Sequence, residues 1–251
     1  DIFTIPFINH PIKWYGLFFA GALVFSQLIM QYIYKKEGRP TAEVDMLGIY
    51  VVVATVLGAR LGHVLFYDPI YYFQNPIEIL MVWEGGLASH GGAIGILIAL
   101  YLFARKTNVA YLWILDRIVI VASLTGCMIR LGNLMNSEMV GVPTSLPWGF
   151  VFTRIDDVPR HPAQLYESIY CLVLFLAILR VWIKYKSQLQ NGSLFGWFLV
   201  VLFSLRFIDE FFKINQEAFE DRLLLNMGQL LSIPFVLTGL VILIHNARKK
   251  K

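Results

Sequence analysis

Seven apolar runs separated by polar stretches set the pattern of this chain, at about 14–34, 46–67, 87–104, 111–130, 164–183, 194–212 and 228–245. Each is long enough, or nearly so, to cross the roughly 30 Å hydrocarbon core of a bilayer as a helix. The runs lack the two-residue alternation of strands, and no closed-barrel pattern is present, so spanning strands are excluded. Pro234 inside the last run predicts a kink that neighbouring helices can absorb. The connections 35–45, 105–110 and 184–193 are short. Those at 68–86, 131–163 and 213–227 are longer, rich in Pro, Gly or acidic residues, and predict a head region of loops. No internal repeat or low-complexity tract interrupts the pattern.

Composition agrees with the runs. Of 251 residues, 57% are hydrophobic and 15% charged, against about 25% charged in a soluble domain. The expected class is therefore an all-α integral membrane protein, with residues 1–251 forming one seven-span domain. A net charge of +4 could suit nucleic acid. However, the basic residues sit in short connections and at the carboxyl end rather than along one solvated face, so nucleic acid is not the expected partner. Lys35, Lys36, Arg39, Arg105, Lys106, Lys184, Lys186, Arg248, Lys249, Lys250 and Lys251 lie on one side of the runs. Only Lys13, Arg154, Arg160, Lys213 and Arg222 lie on the other. The positive-inside rule then puts the C-terminus in the cytoplasm and, with seven spans, the N-terminus outside. The first ten residues show no basic stretch or small-residue cleavage site of a signal peptide. Cys127 and Cys171 fall inside apolar runs, without a metal or redox spacing, and read as packing residues.

This topology sorts the polar residues within the runs. Arg60, His63, Arg130, Arg206 and Glu210 fall towards outer ends, as do Tyr15, His90, His161, Gln164 and Glu167. Charged groups at the edge of hydrocarbon cost free energy unless paired or hydrated, so the cluster RLGNLMNSEMVG at 130–141 points to function. Each arginine alone reads as a snorkelling anchor. Arg130 and Arg206 together, with Asn133, Asn136 and Glu138 on the same side, point to a site for an anionic headgroup, because guanidinium forks suit phosphate. Arg206, Glu210 and Lys213 follow at i, i+4 and i+7 as one helical stripe, in which Glu210 could simply neutralise Arg206. His90 in SHGG is a candidate general base or a structural hydrogen bonder, beside glycines that permit close approach of backbone or lipid. His161, before Pro162, is either a helix cap or a site residue. His63 and the Asp116–Arg117 pair read as structural. No zinc spacing, Walker loop, nucleophile elbow or dinucleotide fingerprint occurs, so neither a metal nor a cofactor is expected.

Several motifs in order along the chain resemble prolipoprotein diacylglyceryl transferase. They are WYGL at 14–17, ARLGHVLFY at 59–67, GGLASHGG at 85–92, RLGNLMNSEMVG at 130–141, RHPAQLYE at 160–167 and RFIDEFFK at 206–213. The resemblance implies seven spans with the N-terminus outside, in the bacterial cytoplasmic (inner) membrane, with an active site towards the outer leaflet. It implies transfer of a diacylglyceryl group from phosphatidylglycerol to the lipobox cysteine of prolipoproteins, forming a thioether and releasing glycerol phosphate. By the same resemblance His90, Arg130 and Arg206 are catalytic, while Tyr15, Asn133, Glu138 and Gly141 shape the headgroup site; Glu210 and His161 are further candidates for it by position alone. The chain departs from the family pattern at Ile129, where Gly is usual, and at Leu134, where Phe is usual. Lys213 stands where a second span-six arginine is expected, keeping the charge but losing the fork. The competing reading is a seven-span transporter or receptor for an anionic lipid or solute. It would call for a midplane site, broken helices or an inverted repeat.

Overall fold

The computed structural model describes the backbone of residues 3–5, 10–12, 14–214 and 223–249. Lys13, Arg222, Lys250 and Lys251, which enter the charge argument, lie outside the described residues. The described chain is mostly helical: α1 Trp14–Lys36, α2 Ala42–Phe66, α3 Pro69–Gln74, α4 Ser89–Lys106, α5 Tyr111–Asn136, α6 Ala163–Tyr185, α7 Ser193–Asp209 and α8 Met227–Lys249. Seven of these coincide with the seven apolar runs, and α3 is extra. Five (α1, α2, α5, α6 and α8) are long and apolar enough to cross a membrane. The other two, α4 and α7, have 18 and 17 residues. At 1.5 Å per residue, that is about 26 Å.

Two compact units divide the chain, residues 30–115 and the remainder. In the smaller unit α4 packs along α2 at a crossing of small residues. A Cβ on Gly62 would stand 2.8 Å from the Gly91 Cα, and one on Gly95 would meet the Ala54 carbonyl. Gly58-x3-Gly62 thus faces Gly91-x3-Gly95, the small-residue spacing by which membrane helices bring their backbones together. Gly91 therefore serves helix approach. The connection 68–86, expected as a loop, holds α3 and two 3₁₀ turns, Pro76–Leu80 and Val82–Glu84.

In the larger unit Cys127 and Ser168 meet across α5 and α6 at 3.1 Å, and Ser26 of α1 meets Thr125 of α5 at 3.1 Å. Both cysteines are buried and free. The α7–α8 contact closes through Gly196 and Gly239, with Phe203 stacked on Phe235 at 4.3 Å. Asp116, buried on α5, accepts the backbone N–H groups of Gly192 (2.7 Å) and Phe195 (2.8 Å). A neighbouring helix thus supplies the carboxylate that the first turn of α7 lacks, satisfying its orphan donors and its dipole. Pro234 lies inside α8, which continues through it from Met227 to Lys249. Short antiparallel pairs complete the fold, β1 Phe3–Ile5 with β2 His10–Ile12 and β3 Phe150–Val151 with β4 Pro159–Arg160.

Candidate active site

Within the larger unit, α5 does not stop at residue 130 but runs to Asn136. Arg130, Asn133 and Asn136 therefore recur every three residues on one helix face, one turn apart. Arg130 Nε pairs with Glu167 Oε2 of α6 at 2.7 Å, and its Nη1 reaches Asn133 Oδ1 at 3.3 Å and Met139 Sδ at 2.9 Å. The other Glu167 oxygen pairs with Lys213 Nζ at 2.5 Å. Lys213 also meets Glu210 Oε1 at 2.9 Å and Asp209 Oδ2 at 3.2 Å, and Glu210 Oε1 lies 3.7 Å from Arg206 Nε. The side chains form an alternating series, Arg130–Glu167–Lys213–Glu210–Arg206, with Asp209 as a side branch.

The Arg206 end of the series differs from the rest. Glu167 and Lys213 are buried, whereas the Arg206 side chain is 37% exposed and holds its carboxylate at long range. Burial opposes the charge on Lys213, but the carboxylates of Glu167, Glu210 and Asp209 outweigh it and hold the ammonium above its ordinary pKa. The middle is thus a neutralised strut, and the guanidinium at the Arg206 end retains donors for another anion.

A strained loop follows α5. Ser137 and Met139 both adopt left-handed backbone, φ 58° and 54°, which costs non-glycine residues about 1–3 kcal/mol each. Between them Glu138 is held from several directions. Its carboxylate accepts from Asn133 Nδ2 (2.9 Å) and Asn136 Nδ2 (3.1 Å), and its carbonyl accepts from Gln164 Nε2. A carboxylate so engaged organises its neighbours.

Gly141 is where three segments cross. It donates to the His161 carbonyl at 3.0 Å and bridges Lys213, while Val142 donates to the Phe212 carbonyl at 2.9 Å. A Cβ at 141 would lie 2.6 Å from both the Phe212 oxygen and the His161 Cβ, so only glycine fits. Through this crossing the loop fixes where Lys213 and His161 stand. Gly228 makes a similar allowance for Glu210, whose Cγ would be 2.8 Å from an added Cβ, and Asn226 Nδ2 reaches Glu210 Oε2 at 3.3 Å.

The sequence model of the family described as prolipoprotein diacylglyceryl transferase matches residues 2–245. The chain belongs to this family. It is 50% identical over 240 residues to the phosphatidylglycerol–prolipoprotein diacylglyceryl transferase of Tolumonas auensis, covering 95% of this chain and 93% of that protein. It is 46% identical over 260 residues to the protein of the same name from Porphyromonas gingivalis, covering 97% and 91%. The Chloroherpeton thalassium protein of that name is 43% identical over 250 residues, covering 99% and 92%.

In this diacylglyceryl transferase family member, the larger unit gathers Arg130, Asn133, Glu138, Gly141, Arg206, Glu210 and His161. Tyr15 of α1 lies against α5 at Gly132, beside Asn133 in the chain. A Cβ on Gly132 would come 2.9 Å from its ring, so glycine there admits the tyrosine. His90 belongs to the smaller unit. It is exposed, with its ring 5.4 Å from that of Phe66 and 6.1 Å from that of Tyr67.

Two local readings need correction. His161 does not cap α6: Pro162 occupies the N-cap position and no side-chain cap bond forms. The His161 backbone is committed to Gly141 and Val142, and its Nδ1 lies 3.1 Å from the Tyr166 hydroxyl. Arg206, Glu210 and Lys213 are not one α-helical stripe either. The α-helix ends at Asp209 and tightens into a 3₁₀ turn, Glu210–Phe212, so their ion pairs form across a change of helix type. The residue missed as a site member is Glu167. Its signal is the charge itself: a glutamate four residues into an apolar run needs a cation, although nothing local in the sequence says which.

Proposed function

We propose that this chain transfers the diacylglyceryl group of phosphatidylglycerol to the cysteine thiol of a prolipoprotein lipobox, the first step of lipoprotein maturation. The observation that carries this reading is the charge series ending in two arginines on an otherwise apolar scaffold of the right family. In the reaction the thiolate sulfur attacks the glyceryl carbon bonded to the phosphate oxygen. The C–S bond forms, the C–O bond breaks, and its electron pair leaves on glycerol phosphate. Negative charge therefore grows on the phosphate, and guanidinium donors already oriented towards it stabilise that growth at no reorganisation cost.

The assignments divide between binding and support. Arg130 and Arg206 hold the phosphate, and Asn133 and Glu138 keep Arg130 and the 137–141 loop in place. Glu167 takes the Arg130 Nε and so fixes which part of the fork faces the substrate. Lys213 and Glu210 set Arg206. Tyr15, Gly141 and His161 shape the headgroup space. His90 takes the proton from the thiol, which is a weak nucleophile until ionised.

Seven helices cross the bacterial cytoplasmic membrane in this reading, α4 and α7 included, within one transferase domain. The N-terminus is outside, the C-terminus is cytoplasmic and the site faces the outer leaflet. The test is the mass of a synthetic lipobox peptide after incubation with the reconstituted protein and phosphatidylglycerol. A diacylglyceryl increment on cysteine is expected. An unmodified peptide, with lipid bound or moved across the bilayer, would favour the transporter reading instead.

A further inference from the structure

Segment 69–86 of the smaller unit carries an exposed apolar face unlike that of an aqueous loop. Ile70, Phe73, Ile77, Leu80 and Trp83 are each 72–75% exposed, and they recur at spacings of three and four. Single exposed apolar residues are ordinary, but five large ones on one short connector mark a surface that something covers.

The segment is held by one buried arginine. Arg60 of α2, 4% exposed, donates from Nε to the Ile79 carbonyl (2.9 Å) and from Nη1 to the carbonyls of Gly85 (2.7 Å) and Gly86 (3.3 Å). Its Nη2 donates to the Glu78 carbonyl. Tyr72 lies over the guanidinium at 4.9 Å. Gly86 at φ 68° completes the clasp, because a Cβ there would strike Arg60 and His63. Arg60 sits six residues before the end of α2, about 9 Å back along its axis. Residues 78–86 therefore fold back beside the last turns of α2 rather than extending past its end.

Irregular backbone at membrane depth is tolerated only where its carbonyls are satisfied, and Arg60 satisfies four of them. The apolar face continues one already present on α2, where Leu61, Leu65 and Phe66 are 50–70% exposed and α2 is long enough to span. No Lys or Arg occurs between Arg60 and Arg105, so attraction to anionic headgroups is not what holds the segment.

We propose that residues 69–86 form a foot that lies in the lipid interface beside α2, its five apolar side chains inserted among the acyl chains and Arg60 serving as its internal clasp. The partner is the lipid surface itself. The foot inserts by apolar area, in the manner of an interfacial helix, to about 5–10 Å below the headgroup boundary. This inference stands apart from the transferase reading and needs only that α2 crosses the bilayer.

The test places a nitroxide at Phe73→Cys, Ile77→Cys and, as the polar control, Asn75→Cys. The full chain is reconstituted in phosphatidylethanolamine vesicles with low or high phosphatidylglycerol. Labels at 73 and 77 should collide with oxygen more than with a water-soluble nickel chelate, and the label at 75 should show the reverse. The depth should not change with phosphatidylglycerol content. Nickel-accessible labels at 73 and 77 would place the foot in water and overturn the proposal. Labels shielded from both reagents would mean a protein covers the foot, which also overturns it. Arg60→Lys, lacking the fork, should move the 77 label towards water. Should that variant fail to accumulate, the labels on the parent chain still decide.

Discussion

Arg60 is buried and Arg130 half-buried, each in the last two turns of a long apolar helix, and they are spent in opposite ways. Arg60 donates to four backbone carbonyls and lies under a tyrosine, with no carboxylate partner among the described side chains. Arg130 pairs with a glutamate that is itself shared with a lysine, in a series leading to a half-exposed arginine. A guanidinium that gives four of its five N–H donors to carbonyls has a structural task. One that ends a series of ion pairs keeps donors and a field for an incoming anion. The lesson is that an arginine in an apolar run says a partner exists, while the kind of partner says what the arginine is for.

The largest expected effect separates the two. Arg130→Ala and Arg206→Ala should each lower turnover of a lipobox peptide by about 10²–10³-fold, with insertion and thermal midpoint close to those of the parent for Arg206→Ala. Arg60→Ala should instead lower the thermal midpoint and the yield of folded protein, with a smaller change in turnover per folded molecule. If Arg60→Ala matched Arg130→Ala in turnover at unchanged stability, the contrast would collapse. Next in size is Glu167→Gln, which leaves Arg130 and Lys213 without their shared carboxylate. Breaking a buried pair costs about 3–5 kcal/mol, so the variant should unfold earlier and also lose activity. Combined with Arg130→Ala, its cost should be less than the sum, because the two residues share one interaction.

Much of this is legible in the sequence. The seven main helices sit on the seven apolar runs, and RLGNLMNSEMVG supplies both the helix face of Arg130 and Asn133 and the loop that returns Glu138 to them. Hydropathy misplaced the end of α5 because it measures the cost of exposing side chains, whereas the helix continues as long as its backbone bonds do. Leu131–Asn136 extend it by about one and a half turns, in which Asn133 and Asn136 are the polar residues. The pairing of Glu167 with Arg130 and Lys213 was not legible, since contacts between helices leave no local pattern. His161 looked like a cap from its place before a proline. Its backbone proved to be taken by Val142 and Gly141, a pairing set by the crossing at residue 141.

That crossing gives the third comparison. Gly141→Ala should destabilise by about 1–3 kcal/mol through overpacking, and activity should fall because Lys213 and His161 are displaced together. Gly92→Ala on α4 has its nearest neighbours at 3.5 Å or more and should be tolerated, as a differential scanning or ageing assay in detergent would show. Ser137→Gly has the opposite sign. It relieves a left-handed serine, but the unfolded chain gains freedom, so the net stabilisation should stay below about 1 kcal/mol.

The smallest effect concerns the β3–β4 hairpin, where Arg160 and Asp156 form a half-buried ion pair. The guanidinium beside it holds the Asp156 carboxyl below its usual pKa. A depressed carboxyl contributes stability above its unfolded pKa and loses it as the pH falls through the lower, folded value. Hairpin protection should therefore be flat near neutrality and weaken only in acid. Exposure and salt keep the contribution small. Hydrogen exchange at Val158, whose N–H donates to Asp156 at 3.1 Å, should report that loss, and Asp156→Asn should abolish its acid dependence. Unlike the Glu167 pair, this one should also fade in high salt, because the Asp156 carboxylate is 32% exposed against 5% for Glu167; equal salt sensitivity of the two pairs would contradict the burial that separates the two carboxylates.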